Sequence, residues 1–131
     1  MEDVFIVSAL RTPFGSFAGA LADTTAPELA SQVISELMRR TTLSGEQVDE
    51  VIIGQVLQGG AAQAPARQAM RMAGLPDSTH AMTINKVCGS GLKAMMLAAD
   101  SIRLGDTQIA IAGGMESMSQ TPHALPKARF G

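Results

Sequence analysis

Short apolar runs that alternate with helix-like segments are the feature that most constrains the fold of this chain. The runs bounded by turn residues lie at positions 4–9, 51–53, 81–87 and 108–112. The segments with helical periodicity lie between them, at about 25–40, 66–73 and 92–104. Short apolar runs of this kind are typical of strands that are buried on both faces. The order β-α-β-α-β-α-β therefore predicts an α/β fold with a mostly parallel sheet, helices on both faces and right-handed crossovers.

Helix and strand ends are marked by particular residues. Thr25 is expected to cap the first helix, with Glu28 returning the hydrogen bond and Pro27 in the first turn. The glycine pair at 113–114 is expected to end the last strand. The methionine pair at 95–96 is expected to lie in the core, because it falls on the apolar face of the third predicted helix.

Composition excludes several classes of protein. The 131 residues are 46% hydrophobic, which is enough for a core, and their net charge of −2 includes no basic run that would attract nucleic acid. A single cysteine forms no internal disulfide, and no ligand cluster predicts a metal site. No apolar stretch approaches the roughly 18 residues that span a bilayer, and the start MEDV lacks a basic signal region. We therefore expect a soluble cytoplasmic protein with no membrane partner.

Three familiar motifs fail on inspection. GQVLQGG lacks the lysine and hydroxyl residue of a phosphate loop, and the glycine pair at 113–114 lacks the rest of a dinucleotide fingerprint. Ser90 lacks the flanking glycines of a hydrolase nucleophile. His80 and His123 are interpreted as ordinary polar residues, and structural hydrogen bonding is the favoured role of Glu116.

Cys88 is the side chain most suggestive of chemistry. Most lone cysteines are small buried hydrophobes. From the spacing alone, this interpretation and a functional role for Cys88 are equally favoured. However, Cys88 stands between a predicted strand and a predicted helix, where free N–H groups and the helix dipole favour a thiolate. The glycines that follow leave room for a carbonyl substrate, and backbone N–H groups there could face an oxyanion. Asn85 offers an amide that could orient the turn.

Four segments resemble the thiolase family. NKVCGSGLKA at 85–94 resembles the thiolase segment around the acyl-accepting cysteine, and AGGMESMS at 112–119 resembles a second landmark of the family. SALRTPFGSF at 8–17 and QGGAAQAPARQA at 58–69 match in kind and order. Within the family, NKVC followed by GSGLKA is more similar to the acetyl-CoA acetyltransferases than to the long-chain 3-ketoacyl-CoA enzymes.

The resemblance implies a fold and its boundaries. Thiolases consist of two similar α/β halves in α-β-α-β-α layers, of which this chain would cover most of the first half. Residues 1–118 would belong to the amino-terminal α/β domain, incomplete here, and residues 119–131 would begin an inserted loop domain.

The resemblance also implies a mechanism. Cys88 would accept an acetyl group from acetyl-CoA, and a second acetyl-CoA would attack it to give acetoacetyl-CoA in a Claisen condensation, with thiolysis as the reverse reaction. The backbone amide of Cys88 would contribute to an oxyanion hole, and Asn85, Gly89 and Ser90 would support it. The substrates would be coenzyme A thioesters, with no permanently bound cofactor and a place in lipid metabolism.

Assembly is a further implication of the resemblance. In the family, the strand before the nucleophile pairs across a dimer axis, so the complete protein would be a homodimer or homotetramer. The residues of this chain that would take part are Met82, Thr83, Ile84 and Asn85.

Three thiolase motifs do not occur in these residues. They are a histidine in G-H-P, a second cysteine in C-x-G-G-G and an asparagine in N-E-A-F. We therefore predict that this polypeptide alone does not turn over. It would be the amino-terminal piece of a thiolase; the alternatives are a 3-ketoacyl-CoA thiolase of fatty-acid oxidation and a short non-catalytic protein, for example a redox-sensing binding module.

Overall fold

A computed structural model describes residues 3–130 of the chain. Its helices and strands, in order, are α1 (Ala26–Thr41), β1 (Glu50–Gly54), α2 (Pro65–Met72), β2 (His80–Ile84), α3 (Ser90–Leu104) and β3 (Ala110–Gly114). Short 3-10 turns lie at Gly45–Gln47, Met118–Gln120 and Ala128–Phe130. No helix in the described range is long and apolar enough to cross a membrane.

The three strands form one parallel sheet in the order β2-β1-β3. Ile52 of the central strand pairs with Met82 on one side and Ala112 on the other. All three strands therefore end at the same edge of the sheet, which we call the carboxyl edge, and begin at the opposite amino edge. The parallel arrangement predicted from the sequence is confirmed.

Helices cover both faces of the sheet, as the apolar strands predicted. Val51 and Ile53 point to the face that carries α1 and α2, where they are almost fully buried in the larger core cluster. Ile52 points to the other face and packs against Ala94 and Ala98 of α3. A strand whose alternate residues reach two different cores must be apolar throughout, which is why β1 reads as an unbroken run.

The start of α1 is the predicted capping box. The Thr25 N–H donates to Glu28 Oε2 at 2.8 Å, and the Glu28 N–H donates to Thr25 Oγ1 at 3.4 Å. The hydrogen bonds from the Thr25 hydroxyl and N–H lower the pKa of the Glu28 carboxyl. Pro27 lies in the first turn, and Arg39 and Arg40 lie in the last.

The predicted strand at 4–9 is wrong. This segment forms no strand and donates or accepts no backbone hydrogen bond among the described residues. Phe5 and Val7 are 78% and 79% exposed. A strand is stabilised by a neighbouring strand that pairs with it. An apolar run indicates that a segment is suited to burial, but it does not show that a neighbouring strand is available to pair with it.

Two strand ends and one core assignment also differ from prediction. β2 ends at Ile84 rather than at position 87, and the glycines at 113–114 lie within β3 rather than after it. Met95 and Met96 are 43% and 51% exposed, so they are not core residues within the described range. The small side chains of α3, such as Ala94, face the sheet instead, because they let the helix approach it closely.

Candidate functional site

Cys88 lies at the carboxyl edge of the sheet, in the turn that joins β2 to α3. Its thiol is free and exposed. The burial that is typical of a lone cysteine therefore does not apply. The carboxyl edge of a parallel sheet is where ligands of α/β proteins usually bind.

Asn85 holds this turn with both ends of its amide. Its Oδ1 accepts a hydrogen bond from the Val87 N–H at 2.9 Å, and its Nδ2 donates to the Val56 carbonyl at 3.4 Å. These are the partners that the sequence could not supply. The first bond closes a local Asx-type turn, and the second ties that turn to the segment after β1.

Ser90 is the first residue of α3 and is only 4% exposed. Its Oγ accepts from the Lys86 N–H at 2.8 Å and donates to the Val87 carbonyl at 2.6 Å. A buried hydroxyl with both roles occupied offers no nucleophile to a substrate. This geometry agrees with the interpretation of Ser90 as a poor hydrolase nucleophile.

Val87 has a left-handed backbone conformation, with φ of 51°. For a β-branched side chain this region is a steric outlier, and such positions cost about 1–3 kcal/mol unless surrounding contacts impose them. The side chain is 65% exposed, so it gains little from burial in return. The sequence gives no sign of strain immediately before the thiol, because a β-branched residue after an apolar run reads as a strand.

Glycine contacts fix where α3 begins. A Cβ placed on Gly54 at the end of β1 would lie 2.5 Å from the Ser90 carbonyl carbon, and one on Gly114 at the end of β3 would lie 3.3 Å from Gly91 Cα. The first turn of α3 thus packs directly on the backbone of two strands. A Cβ on Gly91 would make only ordinary contacts with the backbone of Gly113 and Gly114, at 3.4–3.6 Å, and one on Gly89 would face only the Lys86 carbonyl at 3.4 Å.

The amides around Cys88 differ in their availability as oxyanion donors. The Gly89 N–H donates to the Lys86 carbonyl and the Ser90 N–H to the Val87 carbonyl, both at 3.1 Å. Within residues 3–130, the Cys88 N–H donates to no protein acceptor. Asn85, Gly89 and Ser90 therefore act on the turn itself, and the Cys88 amide is left to face a ligand.

Glu116 connects the remaining strand to this edge. Its carboxylate, two residues past β3, accepts hydrogen bonds from the Val56 N–H at 3.0 Å and the Leu57 N–H at 3.3 Å. Because Asn85 contacts the carbonyl of the same Val56, the segments that follow all three strands form one hydrogen-bonded network. Structural hydrogen bonding, the role favoured for Glu116, is what the geometry shows.

The four residues predicted at a dimer contact lie on or just after β2, an edge strand. Met82 is 40% exposed, but the Thr83 hydroxyl accepts a hydrogen bond from the Ala66 N–H at 2.9 Å and so caps α2 within the chain. Ile84 packs partly buried against α3. The contact itself stays a prediction.

Histidine and metal ligands play no visible part in this site. His80 opens β2 at the amino edge, away from Cys88, and His123 is exposed in the segment after β3. No group of three His, Cys, Asp or Glu side chains within residues 3–130 is arranged to hold a metal ion. A cavity of about 70 Å³ beside Gln55 and Ser117 is too small for an acyl-CoA.

Comparison with known proteins identifies a common family. Residues 4–131 match the family described as "Thiolase, N-terminal domain". The chain is 56% identical over 131 residues to the acetyl-CoA acetyltransferase of Pseudomonas aeruginosa and 58% identical over the same length to that of Cupriavidus necator. These alignments cover 100% of this chain but 33% of each relative, so the chain spans about a third of the length of the curated relatives it matches.

Solved structures agree with the sequence comparison. The Acat5 thiolase from Ascaris suum, in complex with coenzyme A, has a TM-score of 0.93 and 40% identity over 96% of this chain and 33% of its own. The Bacillus anthracis acetyl-CoA acetyltransferase has a TM-score of 0.89 and 42% identity over 93% of this chain and 31% of its own. The predicted thiolase-like α/β fold is confirmed.

Proposed function

Because the chain belongs to the thiolase family, we propose that it provides the acyl-accepting cysteine of an acetyl-CoA acetyltransferase, and that this cysteine is Cys88. The observation that carries the proposal is the exposed thiol at the carboxyl edge, on a strained turn in which the Cys88 N–H donates to no acceptor within residues 3–130. The names of the close relatives support acetyl-CoA as the substrate, and the coenzyme A complex of the Ascaris suum thiolase supports a coenzyme A thioester more generally.

The first half-reaction would transfer an acetyl group to sulfur. The Cys88 thiolate attacks the carbonyl carbon of acetyl-CoA, a new C–S bond forms, and the C–S bond to coenzyme A breaks. The thiol proton passes to a base, and the departing coenzyme A thiolate takes up a proton. Because one thioester replaces another, the acetyl group stays activated, which an oxygen ester on Ser90 would not achieve.

The second half-reaction would form a carbon–carbon bond. A second acetyl-CoA loses a proton from its methyl carbon, and the resulting carbanion attacks the carbonyl of acetyl-Cys88. The sulfur of Cys88 leaves, and acetoacetyl-CoA is released. In the reverse direction, coenzyme A cleaves acetoacetyl-CoA into two acetyl-CoA.

Backbone geometry suits both tetrahedral intermediates. In each, negative charge develops on the carbonyl oxygen next to the sulfur, within reach of the Cys88 N–H. Substrates come and go as coenzyme A thioesters, and no permanently bound cofactor is proposed. Dimers or tetramers that pair through β2 remain part of the proposal for the complete enzyme.

The 131 residues contain no second cysteine and no G-H-P histidine. The two bases that the family resemblance implies, one for the thiol and one for the second acetyl-CoA, are therefore not among these residues. We expect these residues alone to accept an acetyl group at alkaline pH, where thiols ionise without a base, but not to complete turnover. A 3-ketoacyl-CoA thiolase differs in chain-length preference, which a comparison of acetyl-CoA with longer acyl-CoA donors tests.

The decisive experiment is intact mass measurement after incubation with acetyl-CoA at alkaline pH. We expect one acetyl adduct per chain, absent in Cys88→Ser and retained in a control variant of the exposed Ser35, Ser35→Ala. The thioester should be removed by neutral hydroxylamine, unlike an amide on lysine. An adduct that survives Cys88→Ser would place the chemistry elsewhere and refute the proposal.

A further inference from the structure

The Cys88 side chain is exposed, so the directions of its Cα–Cβ bond and of its N–H are set by the backbone of the turn rather than by packing. That backbone includes Val87 in a conformation that valine does not adopt by itself. Some contact must therefore keep Val87 left-handed. Without it the turn would relax, and the Cys88 N–H and thiol would point elsewhere.

Ser90 is the side chain best placed to supply this contact. Its hydroxyl bonds the Lys86 N–H and the Val87 carbonyl, which are backbone groups on the two sides of the Val87 φ and ψ rotations. Ser90 itself is 4% exposed, and both bonds are partly buried, whereas the Asn85 bond to Val87 is exposed. Its backbone in turn lies against Gly54, so the hydroxyl is anchored to the sheet.

Asn85 adds a second, weaker contact. Its Oδ1 bond to the Val87 N–H acts on the same residue, but Asn85 is exposed to solvent and is open to competition from water. The two side chains thus act on one strained residue, with Ser90 as the better protected of the two.

We propose that Ser90 is a positioning residue of the acyl transfer: its hydroxyl holds Val87 left-handed and thereby aims the Cys88 thiol and N–H at the same thioester carbonyl. This inference rests on the proposed function, and it assigns Ser90 no contact with substrate. It distinguishes Ser90 from a residue that merely stabilises the fold.

The test compares two reactions of Cys88 in this chain at alkaline pH. Acetyl transfer from acetyl-CoA requires an attack angle and an oxyanion donor, whereas alkylation by iodoacetamide requires only an accessible thiolate. For Ser90→Ala we expect acetylation to slow about tenfold while alkylation changes by less than about twofold. Ser101→Ala, which removes a hydroxyl bonded to Thr107 at 2.7 Å elsewhere on α3, should change neither rate.

A double variant that should restore acetylation provides the sharper test of the positioning role. Glycine adopts the left-handed region without strain, so Val87→Gly combined with Ser90→Ala should recover most of the lost acetylation. Losses that simply add in the double variant would overturn the positioning role, as would a Ser90→Ala variant acetylated at the normal rate. If the unmodified chain takes no acetyl group, the proposed function fails instead.

A variant at an exposed position covers the case in which Ser90→Ala does not fold. Asn85→Ala removes the other bond to Val87 from the surface, and it should slow acetylation without changing alkylation. Acetylation of Asn85→Ala at the normal rate would overturn the proposal that the Val87 conformation is held by these side chains.

Discussion

At both edges of the sheet a carboxylate accepts hydrogen bonds from backbone N–H groups, but the two edges differ in what surrounds that carboxylate. At the amino edge, Asp49 Oδ2 accepts hydrogen bonds from the Gln108 and Ile109 N–H groups at 2.8 and 3.0 Å. At the carboxyl edge, the Glu116 carboxylate accepts from the amides of 56–57. Asp49 precedes β1 and binds the backbone that leads into β3. Glu116 follows β3 and binds the backbone that leaves β1.

Backbone strain separates the two edges. The left-handed residues Thr42, Gly74 and Gly105 follow the ends of α1, α2 and α3, where this conformation is a routine way to end a helix. Val87 precedes a helix at the carboxyl edge and has no such role. The comparison teaches that one edge is built for connection only, whereas the other also has backbone strain beside the exposed Cys88 thiol.

The largest expected effect comes from the glycine contact at the carboxyl edge. Gly54→Ala should lower the free energy of unfolding by about 3 kcal/mol or more, because the new methyl group meets the Ser90 backbone, which cannot rotate away. Acetylation of Cys88 should fall as well. Urea unfolding and intact mass provide the two measurements.

Gly113→Ala is the matched control for that change. Gly113 lies in β3, its φ is not left-handed, and no atom lies within 4 Å of a Cβ built there. We expect a change of less than about 1 kcal/mol. Equal losses for the two alanines would show that strand glycine content, and not the contact with α3, is what matters.

The second effect belongs to the amino edge. Asp49→Ala should lower the free energy of unfolding at neutral pH by about 1–2 kcal/mol, a range that allows for solvent screening of an exposed carboxylate. The rate of Cys88 acetylation per folded molecule should not change. A slower acetylation in Asp49→Ala would contradict the separation of the two edges.

Acid should reduce this difference. Hydrogen bonds from the Ile109 and Gln108 N–H groups, with a smaller contribution from His80, lower the pKa of Asp49 below its ordinary value of 3.8. The stabilisation is therefore present above that pH and is lost as the pH falls through the lowered pKa. Unfolding curves of the native chain and Asp49→Ala should converge in strong acid; a constant gap would contradict this linkage.

The smallest expected change in stability is at Glu116, and it sharpens the comparison. Glu116→Gln keeps one oxygen acceptor but loses the charge, so the free energy of unfolding should fall by about 1 kcal/mol or less. The carbonyl of Val56 also accepts a hydrogen bond from Asn85 Nδ2, so a shift of Val56 would reach the Cys88 turn. Acetylation of Cys88 should therefore slow measurably in the same variant. An unchanged acetylation rate would show that the network at this edge is structural only.

The sequence predicts the start of α1 and the position of β1, because both depend on residues that are close together in the chain. Thr25 and Glu28 are three residues apart, so the start of α1 is readable, and the apolar run of β1 matches a strand buried between two layers. The family resemblance, carried by the segment around Cys88, is confirmed by the comparisons.

The features that sequence reasoning misses depend on contacts across the chain. The Gly54 contact is visible only once β1 and α3 are packed together. The Ser90 hydroxyl bonds are local, to Lys86 and Val87, but they depend on a left-handed turn that the residue types do not indicate. The strand predicted at 4–9 is wrong for the same reason, because a segment becomes a strand only where another strand pairs with it, and the apolar residues of 4–9 do not show whether one does. The left-handed Val87 contradicts its own local preference, and such conflicts are expected mainly at functional sites.

The contact of α3 with two strand backbones has a consequence for how this protein can change over time. Side chains throughout both cores can be exchanged for others of similar volume while the origin of α3, and with it the position of Cys88, stays where the main chains of β1 and β3 put it. Changes in the two cores are therefore separable from the position of Cys88, except at Gly54 and Gly114. Libraries that vary the two cores should keep the Cys88 turn, provided that these glycines and the side chains that hold the turn, Asn85, Ser90 and Glu116, are left untouched.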